Sequence, residues 1–255
     1  MEFINYLGDE NVAKFMLLFA RVSGLFVFFP FFSHNSIPMI IKASLSLLLT
    51  MFLYPLAQLN TPSYNSFFIL QILSEVLLGI ISGLILTMVF AIIQMAGEQI
   101  SFTMGFTMAT VIDPSSGVNS PITSQILHLL ALLFFLAFDG HHLILLFIAN
   151  SLDYIVLGEF YPNENLFKYI STAMLNIFLI GFTMAFPVLA ISLLADFIFG
   201  LLMKTMPQFN LLVVGYPIKI ALAFAVLISI LLIMMQHFKA LMLKVFSNIE
   251  TLFFI

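Results

Sequence analysis

The sequence predicts an all-α, polytopic membrane protein forming a single domain over residues 1–255, and three observations carry that prediction. Hydrophobic residues make up 62% of the chain and charged residues 8%, where a soluble domain carries about 25% charged residues. A surface with so few charges belongs in lipid or against other apolar helices. The apolar residues also fall in long runs, and a bilayer core takes about 20 residues per helix, so the length allows roughly six or seven spans. Finally, Tyr6, Tyr64, Tyr161, Tyr169 and Tyr216 fall at or beside the ends of those runs, with Tyr54 and Tyr154 near them. Interfacial enrichment of tyrosine predicts that placement.

The runs follow in order. Val12–Phe32 is the first, interrupted by Lys14 and Arg21, and Ser33–Pro38 is a turn cluster. No basic residue precedes it among Glu2, Asp9 and Glu10, so it is expected as a retained helix rather than a secretory signal. Ile40–Leu59 is a second run, closed by Asn60-Thr61-Pro62. Phe67–Met95 is a third, longer than one span requires, and Gly97–Ile112 is a separate apolar run rich in small residues. The polar loop Asp113–Pro121 follows, then Ile122–Phe138, the tetrad Asp139-Gly140-His141-His142, and the short run Leu143–Leu157. Gly158–Asn165 is a turn-rich loop. Tyr169–Met203 is very long and holds Pro187, a predicted kink. Lys204–Pro217 is a second special loop, Ile218–Gln236 a last span, and the remainder to Ile255 an amphipathic tail.

Several function classes are excluded or disfavoured. Net charge is −4 with scattered basic residues, which argues against nucleic acid as a partner. Cysteine is absent, so there is no disulfide or thiolate metal site. No His-Glu-x-x-His or Gly-x-Ser-x-Gly motif occurs, and no enzyme is expected. Asp139, His141 and His142 read as a polar cap between two helices rather than a metal site, because adjacent helical side chains diverge by about 100°. No metal ligand and no cofactor is predicted. Alternate loops place Lys14, Lys204 and Lys219 on one side and Lys42, Lys168, Lys239 and Lys244 on the other. That balance carries no positive-inside signal and fits runs that do not simply alternate across a bilayer.

Charges within apolar runs are expensive, and Arg21, Glu75 and Asp196 are the candidates, as fixed structural pairs or as a proton or ion path. Glu75, Gly79, Gly83, Thr87 and Ala91 recur every four residues on one helix face, a stripe that admits a neighbouring helix closely. Asp196, Gly200 and Lys204 form a similar stripe, on which the two charges could share a neighbour. Gly97, Ser101, Gly105 and Ala109 continue the small-residue spacing, with Phe102 and Phe106 on a second face and Met104 and Met108 on a third. The loop that follows reads equally as an ordinary connector or as irregular backbone with a role at membrane depth.

The run Gly97-Glu98-Gln99-Ile100-Ser101-Phe102-Thr103-Met104-Gly105-Phe106, then Ile112-Asp113-Pro114, Ser116-Gly117-Val118 and Ser120-Pro121, resembles the FliR family of flagellar export proteins. Gly140-His141-His142 agrees, as do Pro207-Gln208-Phe209-Asn210 and Val214-Gly215-Tyr216-Pro217-Ile218-Lys219. Position 209 departs slightly, with Phe where the family more often has an aliphatic residue. The resemblance implies bent helical hairpins packed in a hetero-oligomeric export gate. That gate sits in the bacterial inner membrane at the flagellar basal body. It implies FliP-like and FliQ-like subunits as partners, FlhB and FlhA nearby, and unfolded flagellar subunits as the threaded cargo. It further implies that Gly105, Phe106, Met108, Asp113, Pro114, Ser115, Ser116, Gly117, Val118, Ser120 and Pro121 belong to a plug closing the channel. Glu75, Gly79, Gly83, Gly97 and Ser101 form the packing stripe, and Pro207, Gln208, Asn210, Gly215, Pro217 and Lys219 the C-terminal motif. Two other readings remain: the homologous injectisome export-gate subunit SctT, and a small-solute secondary transporter, for which Pro187 lacks a counterpart in a second repeat.

Overall fold

The computed structural model describes residues 9–29, 38–58, 67–106, 121–206, 208 and 210–254. Seven α-helices account for most of them: α1 Asp9–Phe28, α2 Met39–Leu53, α3 Phe68–Met104, α4 Ile122–Ala137, α5 Gly140–Tyr154, α6 Glu164–Thr205 and α7 Tyr216–Phe254. A π-helical turn, Leu211–Gly215, leads into α7. Tyr54 and Tyr154 stand at the ends of α2 and α5, and Tyr216 at the start of α7. Tyr6 and Tyr64 lie outside the described residues, as do Ser33–Ile37 and Asn60–Pro62.

Three expectations are corrected. Phe67–Met95 and Gly97–Ile112 are not separate runs: α3 is continuous through Ala96 and Gly97 for 37 residues and ends at Met104. The last span does not stop at Gln236, since α7 runs on as one helix of 39 residues, with Phe238, Met242, Phe246 and Ile249 buried along one stripe of the presumed tail. The span count falls accordingly. Among the described residues four helices are long and apolar enough to cross a membrane, or five if α4 and α5 together make one broken span. At 1.5 Å per residue, α3, α6 and α7 are each about twice the roughly 30 Å of a bilayer core, so they use chain length that shorter spans would have divided. Helix α6 continues through Pro187, whose missing N–H leaves the carbonyl of Thr183 without its helical partner.

The chain divides into two compact units. One contains α1, α2, the first part of α3 to Met88, α5, the loop after it, and the starting turns of α6 with the end of α7. Its core is Leu17, Leu18, Val22 and Leu25 of α1 with Leu78, Ile85 and Leu86 of α3 and Phe147, Ile148 and Leu152 of α5. The other contains the rest of α3, most of α4, and the remainder of α6 and α7. Phe90 centres it, meeting Phe135 and Phe238 edge-on at ring separations of 5.7 and 5.1 Å, the arrangement that the aromatic quadrupole favours. Helix α3 is the most enclosed of the long helices: its most apolar window is 61% buried, against 33% for α6 and 28% for α7. Leu175, Phe178, Leu179, Phe182, Phe186, Leu193 and Phe197 leave α6 with an exposed apolar face.

Candidate functional site

The first unit is organised around one buried ion pair. Arg21 and Glu75 have side chains 2% and 0% exposed. The guanidinium grips the carboxylate with two bonds, Nε to Oε2 at 2.5 Å and Nη2 to Oε1 at 3.1 Å. Its Nη1 donates to the carbonyl and hydroxyl oxygens of Ser151 at 3.0 and 3.1 Å, and Nη2 donates also to the carbonyl of Ile155 at 3.1 Å. Arginine has five N–H donors, and these bonds use all five. Glu75 accepts one further bond, from the backbone N–H of Gly158 at 2.6 Å. Gly158 has a positive φ of 85°, which turns that N–H inward where other residues would be strained. A charge pair removed from water needs this degree of satisfaction to be tolerated. It ties α1, α3, the end of α5 and the following loop together, and leaves the arginine no donor for a moving ion or proton.

The stripe on α3 faces α1. A Cβ placed on Gly79 would run into the carbonyl oxygen of Arg21 and come within 2.8 Å of the Leu25 backbone nitrogen. On Gly83 it would stand 2.8 Å from the Leu25 carbonyl oxygen. The contact is mutual, since a Cβ on Gly24 of α1 would lie 2.8 Å from the Val76 carbonyl oxygen. Thr87 completes the face, its hydroxyl 2.5 Å from the carbonyl of Phe28, the last residue of α1. In the second unit the same helix meets α4 at Gly97, where a Cβ would lie 2.5 Å from the Ser124 Cα. Ser101 is buried and its hydroxyl donates to the Gly97 carbonyl at 2.8 Å. Gly24, Ser151 and Gly158 were not anticipated; Gly24 could have been found as the small residue on α1 three positions from Arg21.

The Asp196–Gly200–Lys204 expectation is corrected. Asp196 pairs with Lys219 of α7, whose Nζ donates to both carboxylate oxygens at 2.8 and 2.7 Å. A Cβ on Gly200 meets nothing within 4 Å, and Lys204 is exposed. Lys219 itself is 7% exposed, so this residue of the C-terminal motif is anchored by charge. Asn210 accepts from the Val213 and Val214 N–H groups through its side chain and carbonyl, at 3.3 and 3.0 Å, capping the π-helical turn. Gly215 closes that turn against the Leu211 side chain. Pro217 falls in the first turn of α7, a position where its missing N–H does no harm. Gln208 is exposed, and Pro207 lies outside the described residues.

The plug expectation falls mostly outside the described residues, which exclude Met108, Asp113, Pro114, Ser115, Ser116, Gly117, Val118 and Ser120. Its two ends are described. Helix α3 stops at Met104, not at Asp113, because Gly105 takes a φ of 85°. The Phe106 N–H bonds back to the Ser101 carbonyl at 3.0 Å and the Gly105 N–H to that of Phe102 at 3.1 Å. This pair of bonds around a left-handed glycine is the Schellman arrangement that ends helices. Phe106 then packs near Phe224, with ring centroids 6.1 Å apart. Met104, the last residue of the helix, is buried in the core at 1% exposure. At the other end Pro121 precedes α4 and its carbonyl accepts the Gln125 N–H at 3.1 Å.

Asp139, His141 and His142 lie at the break between α4 and α5, and there the expected divergence of the histidines fails. Their ring centroids are 4.2 Å apart, with the ring planes 36° from parallel.

A model of the family described as bacterial export proteins, family 1, matches residues 12–245. The chain belongs to that family. It is 35% identical over 246 residues to the flagellar biosynthetic protein FliR of Bacillus subtilis, covering 93% of this chain and 95% of that one. It is 29% identical to the protein of the same name from Escherichia coli, covering 89% and 87% of the two chains. The FliR of Pectobacterium carotovorum is 31% identical over 82% of this chain and 80% of its own. For this member of the export family, the buried Arg21–Glu75 pair and the Gly79–Gly83 contact are structural features of a multi-pass helical membrane protein.

Proposed function

We propose that the chain is a structural subunit of the flagellar type III protein export gate, helping to form and plug the channel through which unfolded flagellar proteins pass. The observation that carries the reading is the family match across residues 12–245. The long apolar helices that one chain leaves open agree with it, since α6 and α7 bury only 33% and 28% of their most apolar windows. The gate would sit in the bacterial inner membrane at the flagellar basal body. FliP-like and FliQ-like subunits would cover those helices, with FlhB and FlhA adjacent. The role is architectural and no chemical step is assigned. The flagellar system is favoured over the injectisome because the named relatives are flagellar proteins.

In this reading the segment between Gly105 and Pro121 is a short tethered lid. Its ends are held by the helix stop at Gly105 and by the start of α4, and its tip, Ser115-Ser116-Gly117, carries no large side chain. A passing polypeptide could displace such a tip at little cost. Deleting Ser115–Val118 should leave the complex assembled but make the membrane leaky to ions or small solutes. Membrane conductance and the growth of cells carrying the deletion measure this. An assembled complex with unchanged leakage would return the loop to an ordinary connector.

A further inference from the structure

We propose that Asp139, His141 and His142 form a binding site for a divalent transition-metal ion of the zinc type. One ligand atom from each, a carboxylate oxygen and two imidazole nitrogens, lie within 4.8 Å of one another. A tetrahedral ion with bonds of about 2.0–2.1 Å sets its ligand atoms roughly 3.4 Å apart. The side chains of His142 and Asp139 are 67% and 73% exposed and His141 is also exposed, so small rotations about their own bonds close the remaining gap.

A second observation points the same way. Asp139 occupies the N-cap position of α5, yet its side chain makes no capping hydrogen bond. An aspartate at that position ordinarily accepts from the first free N–H groups of the helix. Here the residue sits in the left-handed region, at φ 59° and ψ 30°, the one described non-glycine residue with positive φ. That backbone is strained for a residue with a Cβ. It directs the carboxylate toward the imidazole instead, with Oδ1 3.5 Å from His142 Nδ1. Two imidazoles and one carboxylate suit zinc, nickel or copper, whereas magnesium and calcium prefer oxygen ligands throughout. Three protein ligands leave a fourth position for water or for a group from a neighbouring subunit. The bound ion would lock the first turn of α5 to the break before it, since ion binding to the folded arrangement stabilises it.

The test uses the full chain in its native membrane complex, stripped with a chelator, loaded with Zn²⁺ alone and freed of excess ion. Zinc per chain is then compared between wild type, the double variant His141→Asn/His142→Asn, and Asp139→Gly, which relieves the backbone while removing the carboxylate. All three side chains are exposed, so each variant should still assemble. The expected result is one zinc per chain in wild type, lost in the double variant and reduced in Asp139→Gly. Wild type retaining no more zinc than the double variant would overturn the site. Undiminished retention by Asp139→Gly would overturn the aspartate as a ligand, and with it the three-residue site.

Discussion

Glu75→Ala should strip the protein of a stable first unit, and is expected to be the most damaging single truncation of a polar side chain. The reason is the position of its partner. Arg21 is 2% exposed and would keep its charge with only the carbonyl and hydroxyl acceptors of Ser151 and Ile155 left to it. Breaking a buried pair by removing one member costs about 3–5 kcal/mol, a large part of the roughly 5–15 kcal/mol by which folded domains are stable. The Gly158 N–H loses its acceptor as well, which adds about 1–3 kcal/mol for a buried donor left unpaired. Removing both charges should be milder. In the double variant Arg21→Leu/Glu75→Leu the uncompensated charge is gone, and only the backbone groups of Ser151, Ile155 and Gly158 and the Ser151 hydroxyl lose partners. Accumulated membrane-inserted protein, measured for the two single variants and the double, checks this. A double variant worse than either single would show that the pair contributes net stability rather than mutual compensation.

Gly79→Leu should prevent α1 and α3 from meeting, and Gly79→Ala should already weaken that contact. The added Cβ would overlap the Arg21 carbonyl oxygen and crowd the Leu25 nitrogen. Both are backbone atoms, so relief requires moving a helix rather than rotating a side chain. In lipid, helices associate through close packing rather than by leaving water, and separating them forfeits the contacts that hold the unit. The shift would also pull Arg21 away from Glu75, one turn from Gly79 on the same face. Gly200→Ala is the control: beyond its own stretch of helix, its Cβ would meet nothing within 4 Å, and alanine in place of a mid-helix glycine adds roughly 0.5–1 kcal/mol of helix stability. Wild-type levels of complex and motility for Gly79→Leu would mean that the stripe does not hold α1.

What the sequence disclosed follows from the range of each interaction. The helices were legible because long apolar runs leave few other structures in a membrane. The Glu75–Gly79–Gly83–Thr87 face was legible because it repeats along one helix. Its partner was not, because nothing local links Glu75 to Arg21, 54 residues earlier. The neighbour of Asp196 was not legible for a related reason. Lys204 stands two turns along the same helix, about 12 Å away, beyond direct contact, whereas Lys219 arrives from α7. The end of α3 was overrun because the apolar run continues to Ile112, although Gly105 between Met104 and Phe106 carries the local stop signal. Gly97 was read at the start of a separate run, but it lies inside the continuous helix, where a Cβ would meet Ser124. The family was legible in the motifs around Gly97–Pro121 and Asn210–Lys219, and the match over residues 12–245 agrees.

The most direct test is to purify the chain from native membranes in mild detergent, under conditions that keep membrane complexes intact, and to identify what remains bound. Helices of 42 and 39 residues with only 33% and 28% of their most apolar windows buried should not persist alone. The account predicts that the chain leaves the membrane in a large assembly with FliP-like and FliQ-like proteins, and that it becomes unstable when separated from them. A stable, monodisperse monomer that retains its fold without partners would contradict it.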